Sequence, residues 1–209
     1  MLFSTIKNYC DTLVEHFNEI PEERKLLLTK IANYIKEKRI QNLPVQLVYV
    51  CTHNSRRSHF GQIWAAVAAS YYNIENVHTF SGGTEVTAFN INAINALKKT
   101  GFEISTNDVQ TSNPTYMVRF GDAEKEYSVC FSKVYNDAVN PRSSFAAIMT
   151  CSEAEKNCPF IPGVELRVGT TYNDPKEFDN TPLQDEKYLE RSKQIAFECL
   201  YVFAEVSKG

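Results

Sequence analysis

The stretch Gln46-Leu47-Val48-Tyr49-Val50-Cys51-Thr52-His53-Asn54-Ser55-Arg56-Arg57-Ser58 decides how this chain is read. An apolar, partly β-branched run ends in a thiol, and an arginine follows six positions later. The intervening backbone N–H groups can curl into a nest around a tetrahedral oxyanion, which the guanidinium fork of Arg57 can clasp bidentately. A helix beginning at Ser58 turns its positive N-terminal end toward the same anion. All of these charges favour thiolate over thiol at Cys51, and the thiolate is the nucleophilic form.

A bare Cys-x5-Arg pattern arises by chance about 0.2 times in a chain of this composition, and the following serine lowers that to about 0.02. The context sharpens it further. His59-Phe60-Gly61-Gln62-Ile63-Trp64-Ala65-Ala66-Val67-Ala68-Ala69 is apolar-rich and helix-forming, so strand, anion loop and helix follow in the required order. The competing reading is a buried structural cysteine near a surface arginine.

On these residues the chain resembles the low-molecular-weight protein tyrosine phosphatase superfamily, which includes the thioredoxin-coupled arsenate reductases, over about 45–203. The resemblance implies an α/β fold of phosphatase type, an open parallel sheet with helices on both faces. It implies that Thr52, His53, Asn54, Ser55, Arg56 and Ser58 form the oxyanion-binding loop, with Asn54 and Ser58 bracing it and hydrogen-bonding the sulfur. Three positions depart from the family pattern. His53 stands where glycine allows φ > 0, a region histidine tolerates better than a β-branched residue does. Arg56 replaces a second loop cysteine and is either an added cation for dianions or a solvent-facing side chain. Gln62 replaces a glutamate that some arsenate reductases use at a cation site, so neither a metal nor a cofactor is expected. Ser81-Gly82-Gly83 resembles the family's Ser-Ala-Gly turn.

A second signal is Cys151-Ser152-Glu153-Ala154-Glu155-Lys156-Asn157-Cys158-Pro159, after the apolar run Phe145-Ala146-Ala147-Ile148-Met149-Thr150. It resembles the redox segment of the arsenate reductases. By that resemblance Cys51 attacks arsenate, Cys151 attacks Cys51 to release arsenite, and Cys158 takes over the disulfide, each thiol displacing a better leaving thiol. The spacing is too loose for a zinc knuckle, and no nearby histidine completes a ligand set. A pair of inert, partly buried cysteines is the competing reading, cysteine being among the most buried residue types.

Asp174-Pro175 matches, in kind and in order, the family's general acid on a late loop. Proline fixes its own φ and biases Asp174 toward an extended conformation, although Asp-Pro is also an ordinary turn signal. Only Phe178 loosely matches the aromatic residues that phosphatases of this fold place nearby, which tilts the reading toward arsenate.

With 209 residues and 43% hydrophobic content, the chain can bury one sizeable core. The net charge of −3 argues against broad nucleic-acid or anionic-membrane binding. No stretch approaches a membrane span, and Met1-Leu2-Phe3-Ser4-Thr5-Ile6-Lys7 lacks the pattern of a signal peptide, so a cytoplasmic, reducing location is expected.

Residues 1–44 read as a helical extension that packs on a catalytic domain at 45–209. Its first helix, near 4–18, lines up Ile6, Cys10, Leu13 and Phe17; its second starts at Pro21 with a stripe of Leu27, Ile31 and Ile35. Strands near 77–80, 102–104, 145–150 and 164–168 alternate with helices near 90–99 and 183–206. An insertion at about 113–140 holds a β-hairpin, Met117-Val118-Arg119-Phe120 and Tyr127-Ser128-Val129-Cys130-Phe131. It either shapes the rim of the site or merely extends the sheet, with Cys130 a core residue.

The leading expectation is an arsenate reductase in which Arg57 binds the oxyanion, Cys51 is the nucleophile, Asp174 the acid, and Cys151 with Cys158 the relay to a thioredoxin-like dithiol. The alternative is a tyrosine phosphatase acting on phosphotyrosine proteins with the same loop. A third is a non-catalytic oxyanion-binding or redox-sensing module.

Overall fold

The computed structural model describes residues 1–108, 110–157 and 160–208. The chain opens with α1 (Ser4–Val14), which buries Ile6, Cys10 and Leu13, followed by a 3-10 turn at Phe17–Glu19 and by α2 (Glu22–Ile40). Glu22 and Glu23 in the first turn of α2 and Lys38 and Arg39 in its last complement the helix dipole. Its buried stripe starts at Leu28 and continues through Ile31 and Ile35, whereas Leu27 is only partly buried. Spacings of three and four keep a stripe on one face, while two successive steps of four drift about 80° around the helix.

Then come β1 (Val45–Cys51), α3 (Arg57–Tyr71), β2 (Val77–Gly83) and α4 (Ile91–Thr100). A short β3 (Glu103–Ser105), β4 (Tyr116–Arg119) and β5 (Tyr127–Cys130) follow, and β6 (Phe145–Met149), α5 (Ser152–Asn157), β7 (Val164–Gly169) and α6 (Gln184–Ser207) complete the chain. The main sheet is parallel, in the order β2-β1-β6-β7. Alternation along β1 divides the core: Leu47 and Tyr49 face one hydrophobic cluster, with Phe60, Trp64, Ile35, Leu200 and Phe203, and Val48 and Val50 face the other, with Phe145, Met149 and Ala154. Gly61 lets α3 lie close on β1, because a Cβ there would come within 2.2 Å of the Tyr49 ring.

Two local expectations are corrected. β3 does not join the parallel sheet; it pairs antiparallel with β4, and β4 with β5, in a separate three-stranded sheet. The inserted hairpin therefore gains a third strand instead of widening the main sheet. Ser81-Gly82-Gly83 is not a free turn but the end of β2, paired with Tyr49, Val50 and Cys51 of β1.

The chain runs from β1 to β2 on one side and later returns to β6 on the other side of β1. β1 and β6 thus flank the point where strand order reverses, and ligands bind outside the carboxyl ends of strands at such a point. Cys51 ends β1, and Cys151 stands two residues past the end of β6.

Leu28 is 2% exposed and Leu26 69% exposed on the same helix. Leu28→Ala is expected to cost about 2–5 kcal/mol and Leu26→Ala to stay within about 0.5 kcal/mol, as read by urea denaturation. Equal effects would mean that α2 does not dock through this stripe.

Candidate active site

The loop between β1 and α3 is built around Asn54, its one residue at positive φ (44°), a region that asparagine enters more readily than most side chains. The Asn54 side chain is fully buried: Nδ2 donates to Ser58 Oγ at 2.9 Å, and Oδ1 accepts from the Lys133 backbone N–H at 2.9 Å. Ser58 Oγ in turn lies 3.1 Å from Cys51 Sγ. His53 does not take the left-handed conformation expected of the glycine it replaces. Its carbonyl instead accepts from Thr87 Oγ1 and Ser132 Oγ, both at 3.0 Å, and its partly exposed ring lies 3.4 Å from the Glu85 carboxylate. Ser55 Oγ donates to the Ala88 carbonyl at 2.7 Å, which fastens the outer turn of the loop. Gly83 runs beside it, and a Cβ there would come within 2.6 Å of the Thr52 carbonyl oxygen.

Both arginines are held. Arg57 donates through Nη1 to the Tyr172 carbonyl at 2.8 Å and through Nη2 to Asp174 Oδ2 at 2.5 Å, while its buried Nε has no protein partner among the described residues. Arg56 turns away from solvent and donates from Nε to Tyr188 OH at 2.7 Å, with Nη2 3.4 Å from Asp179. The added cation is thus absorbed largely by α6 and the segment after Asp174. Asp174 Oδ1 accepts from the Lys176 N–H at 3.1 Å and caps a 3-10 turn at Pro175–Phe178; the Phe178 ring is covered by the Lys187 ammonium, 5.5 Å from its centroid.

Cys151 joins this constellation from the neighbouring strand. Its buried sulfur lies 3.3 Å from Thr52 Oγ1 and accepts from the Ala154 N–H at 3.3 Å. Thr52 Oγ1 donates to Glu153 Oε2 at 3.1 Å. A hydroxyl has a single proton, so with that proton on Glu153 the Cys151 S–H donates to Thr52. Cys158, the expected partner of Cys151, lies outside the described residues. The three remaining cysteines are core residues: burial pushes the thiols of Cys10, Cys130 and Cys199 up to about 12.

The chain is similar to known proteins at low sequence identity. No family model matches the chain. The arsenate reductase of Bacillus subtilis is 25% identical over 162 residues, 78% of this chain and 96% of that one. An arsenate reductase of Staphylococcus aureus is 26% identical over 132 residues, 62% of this chain and 77% of the relative. Among solved structures, a low-molecular-weight phosphotyrosine phosphatase of Vibrio cholerae matches with a TM-score of 0.48 at 14% identity, covering 77% of this chain and 94% of its own. The YwlE arginine phosphatase of Geobacillus stearothermophilus matches with a TM-score of 0.44 at 13% identity, covering 79% and 92%. In sequence the chain is similar to arsenate reductases over 62–78% of its length.

Part of the bracing of this candidate site comes from segments that carry no motif. Ser132 and Lys133 brace the loop from the insertion, whose base is closed by Asn113: Nδ2 donates to the Ser132 carbonyl at 2.8 Å, and Oδ1 accepts from its N–H at 3.0 Å. The Tyr172 carbonyl that holds Arg57 is a backbone group, which residue identity does not reveal. The one available signal is the position of the insertion between two candidate catalytic elements. Among the described residues no group of three His, Cys, Asp or Glu side chains is arranged to hold a metal ion, and no helix is long and apolar enough to cross a membrane.

His59, in the first turn of α3, is fully buried against Phe89, with Nδ1 3.2 Å from Ser81 Oγ and no partner on Nε2 among the described residues. Burial first, and then the Lys133 charge, hold its pKa well below the usual histidine value. The unfolded chain binds a proton that the folded chain refuses, so this contribution is fully present above about pH 6.5 and is lost as pH falls below that. Between pH 7 and 5, wild-type unfolding free energy is expected to fall more steeply than that of His59→Gln, by up to about 1.4 kcal/mol per pH unit. Denaturant titrations at several pH values check this, and identical slopes would contradict it.

Proposed function

We propose that the chain reduces arsenate to arsenite through a relay of Cys51, Cys151 and Cys158. The observation that carries the reading is the second thiol: Cys151 Sγ touches the residue that directly follows Cys51, which ends β1, and Cys151 stands two residues past the end of the adjacent parallel β6. The relatives named arsenate reductase, one matched over 96% of its length, support it.

The substrate is a tetrahedral oxyanion. Arg57 binds it, its Nε supplying a donor that the protein leaves unpaired, together with the loop N–H groups and the N-terminal end of α3. The Cys51 thiolate attacks arsenic(V), and Asp174 protonates the departing oxygen, which leaves as water. Cys151 then attacks Cys51 Sγ. The electron pair of the sulfur–arsenic bond passes to arsenic, which leaves as arsenite in the trivalent state, and a Cys51–Cys151 disulfide forms. Cys158 attacks Cys151, returns the Cys51 thiolate and leaves a Cys151–Cys158 disulfide for an external dithiol, thioredoxin or a protein like it, to reduce. Thr52 serves the second step, since its hydroxyl can turn its proton from Glu153 to Cys151 when that sulfur carries charge.

Disulfide mapping by mass spectrometry on fully reduced protein tests the reading. Arsenate is expected to produce a Cys151–Cys158 bond that phosphate does not, and Cys51→Ser is expected to abolish it. If every thiol stays reduced while aryl phosphates are hydrolysed, phosphatase action on phosphotyrosine replaces this reading.

A further inference from the structure

A buried polar cluster lies behind the Asp174 segment. Glu198 of α6, 4% exposed, accepts from Arg24 of α2 at two points, Nε at 2.9 Å and Nη2 at 2.8 Å. It also accepts from the Tyr172 hydroxyl at 2.7 Å. Burial, and then the Glu198 charge, hold that phenol well above its usual pKa, so it is the donor. Arg24 Nη2 donates further to the Thr170 carbonyl at 2.8 Å, and the guanidinium sits 4.9 Å from the centroid of the Tyr172 ring.

Arg24 thus grips the segment that leaves β7 at three points: one carbonyl, one aromatic face and, through Glu198, one hydroxyl. The same tyrosine presents its carbonyl to Arg57, and Asp174 follows two residues later. Tyr172 is gripped on its side chain by one arginine and engaged on its backbone by the other. Rotation or retreat of this residue would move the carbonyl that orients Arg57 and the carboxyl beside it together. Displacements of about 1 Å in such groups can cost as much as 10²-fold in rate.

We propose that Arg24 is a positioning residue for the active site, acting through Glu198 and Tyr172 to fix the segment that holds Arg57 and carries Asp174. This rests on the reading of Arg57 as oxyanion clasp and Asp174 as acid. A buried ion pair that merely stabilises the fold would lower stability without touching the acid step.

The test combines Arg24→Met, Arg24→Lys and Tyr172→Phe with Asp174→Asn. Tyr172→Phe keeps the Arg24–Glu198 pair and the ring beneath it, which guards against loss of folding. Thermal melts confirm folding at the assay temperature, and kcat and KM are followed over pH 5–8 for arsenate, with dithiothreitol as reductant, and for p-nitrophenyl phosphate. Arg24→Met and Tyr172→Phe are expected to lower kcat about tenfold with little change in KM and to flatten the alkaline limb of the kcat profile. Neither should lower kcat further in Asp174→Asn, and Arg24→Lys should recover part of the loss. Unchanged kcat in folded Tyr172→Phe, or losses that multiply in full with Asp174→Asn, would overturn the proposal alone. If Asp174→Asn itself leaves kcat and the alkaline limb intact, or the wild type turns over neither substrate, the underlying reading fails and the proposal falls with it.

Discussion

Parallel pairing of β1 with β2 on one side and β6 on the other is the constraint on which the rest depends. It buries β1 on both faces, which is why 46–50 is nearly all apolar. It also brings the ends of β1 and β6 together where strand order reverses. A backbone leaving such a strand end has unpaired N–H groups, and the turn into α3 gathers them where the helix dipole is positive. Cys151 reaches Thr52, the neighbour of Cys51, because the sheet register brings the two strand ends together, not because the sequence places them near each other.

The proposed anion-binding role requires donors that stay pointed inward without an anion present, and this loop is held from outside. Asn54 takes the left-handed conformation and spends its amide on both sides, toward Ser58 and toward Lys133. The insertion therefore serves the loop directly, with Ser132 adding a bond to the His53 carbonyl. Such buried polar networks rigidify when every member is satisfied, and each missing partner is costly. Arg57 follows the same logic through the Tyr172 carbonyl and Asp174, which take one N–H each from Nη1 and Nη2 and leave Nε–H and the second N–H of each terminal nitrogen for a bound oxyanion.

The parallel sheet and the loop were legible because their signals are local: an apolar run, a thiol, a guanidinium at fixed spacing, then a helix-forming stretch. What stayed hidden depends on contacts distant in sequence. Arg56 was an open question until Tyr188 and Asp179, more than a hundred residues later, supplied its partners. His53 stands at the glycine position of the pattern that the loop resembles, but the positive φ falls on Asn54, and residue identity alone does not locate a positive φ. The segment Phe102-Glu103-Ile104 reads as part of the alternating sheet because three residues carry no information on which neighbour they will pair with. Leu28 displaced Leu27 from the stripe because periodicity locates a face to within about a residue.

The proposed function requires the loop to be a preformed oxyanion cradle whose clasp is the Arg57 fork. Calorimetric titration with inorganic phosphate, which resembles arsenate but cannot enter the redox relay, tests it most directly. Wild type and Cys51→Ser should both bind one phosphate with affinities within a few-fold of each other. Arg57→Lys, which keeps the charge but loses bidentate geometry, should weaken binding by about tenfold or more. Equal affinity in wild type and Arg57→Lys would contradict the account.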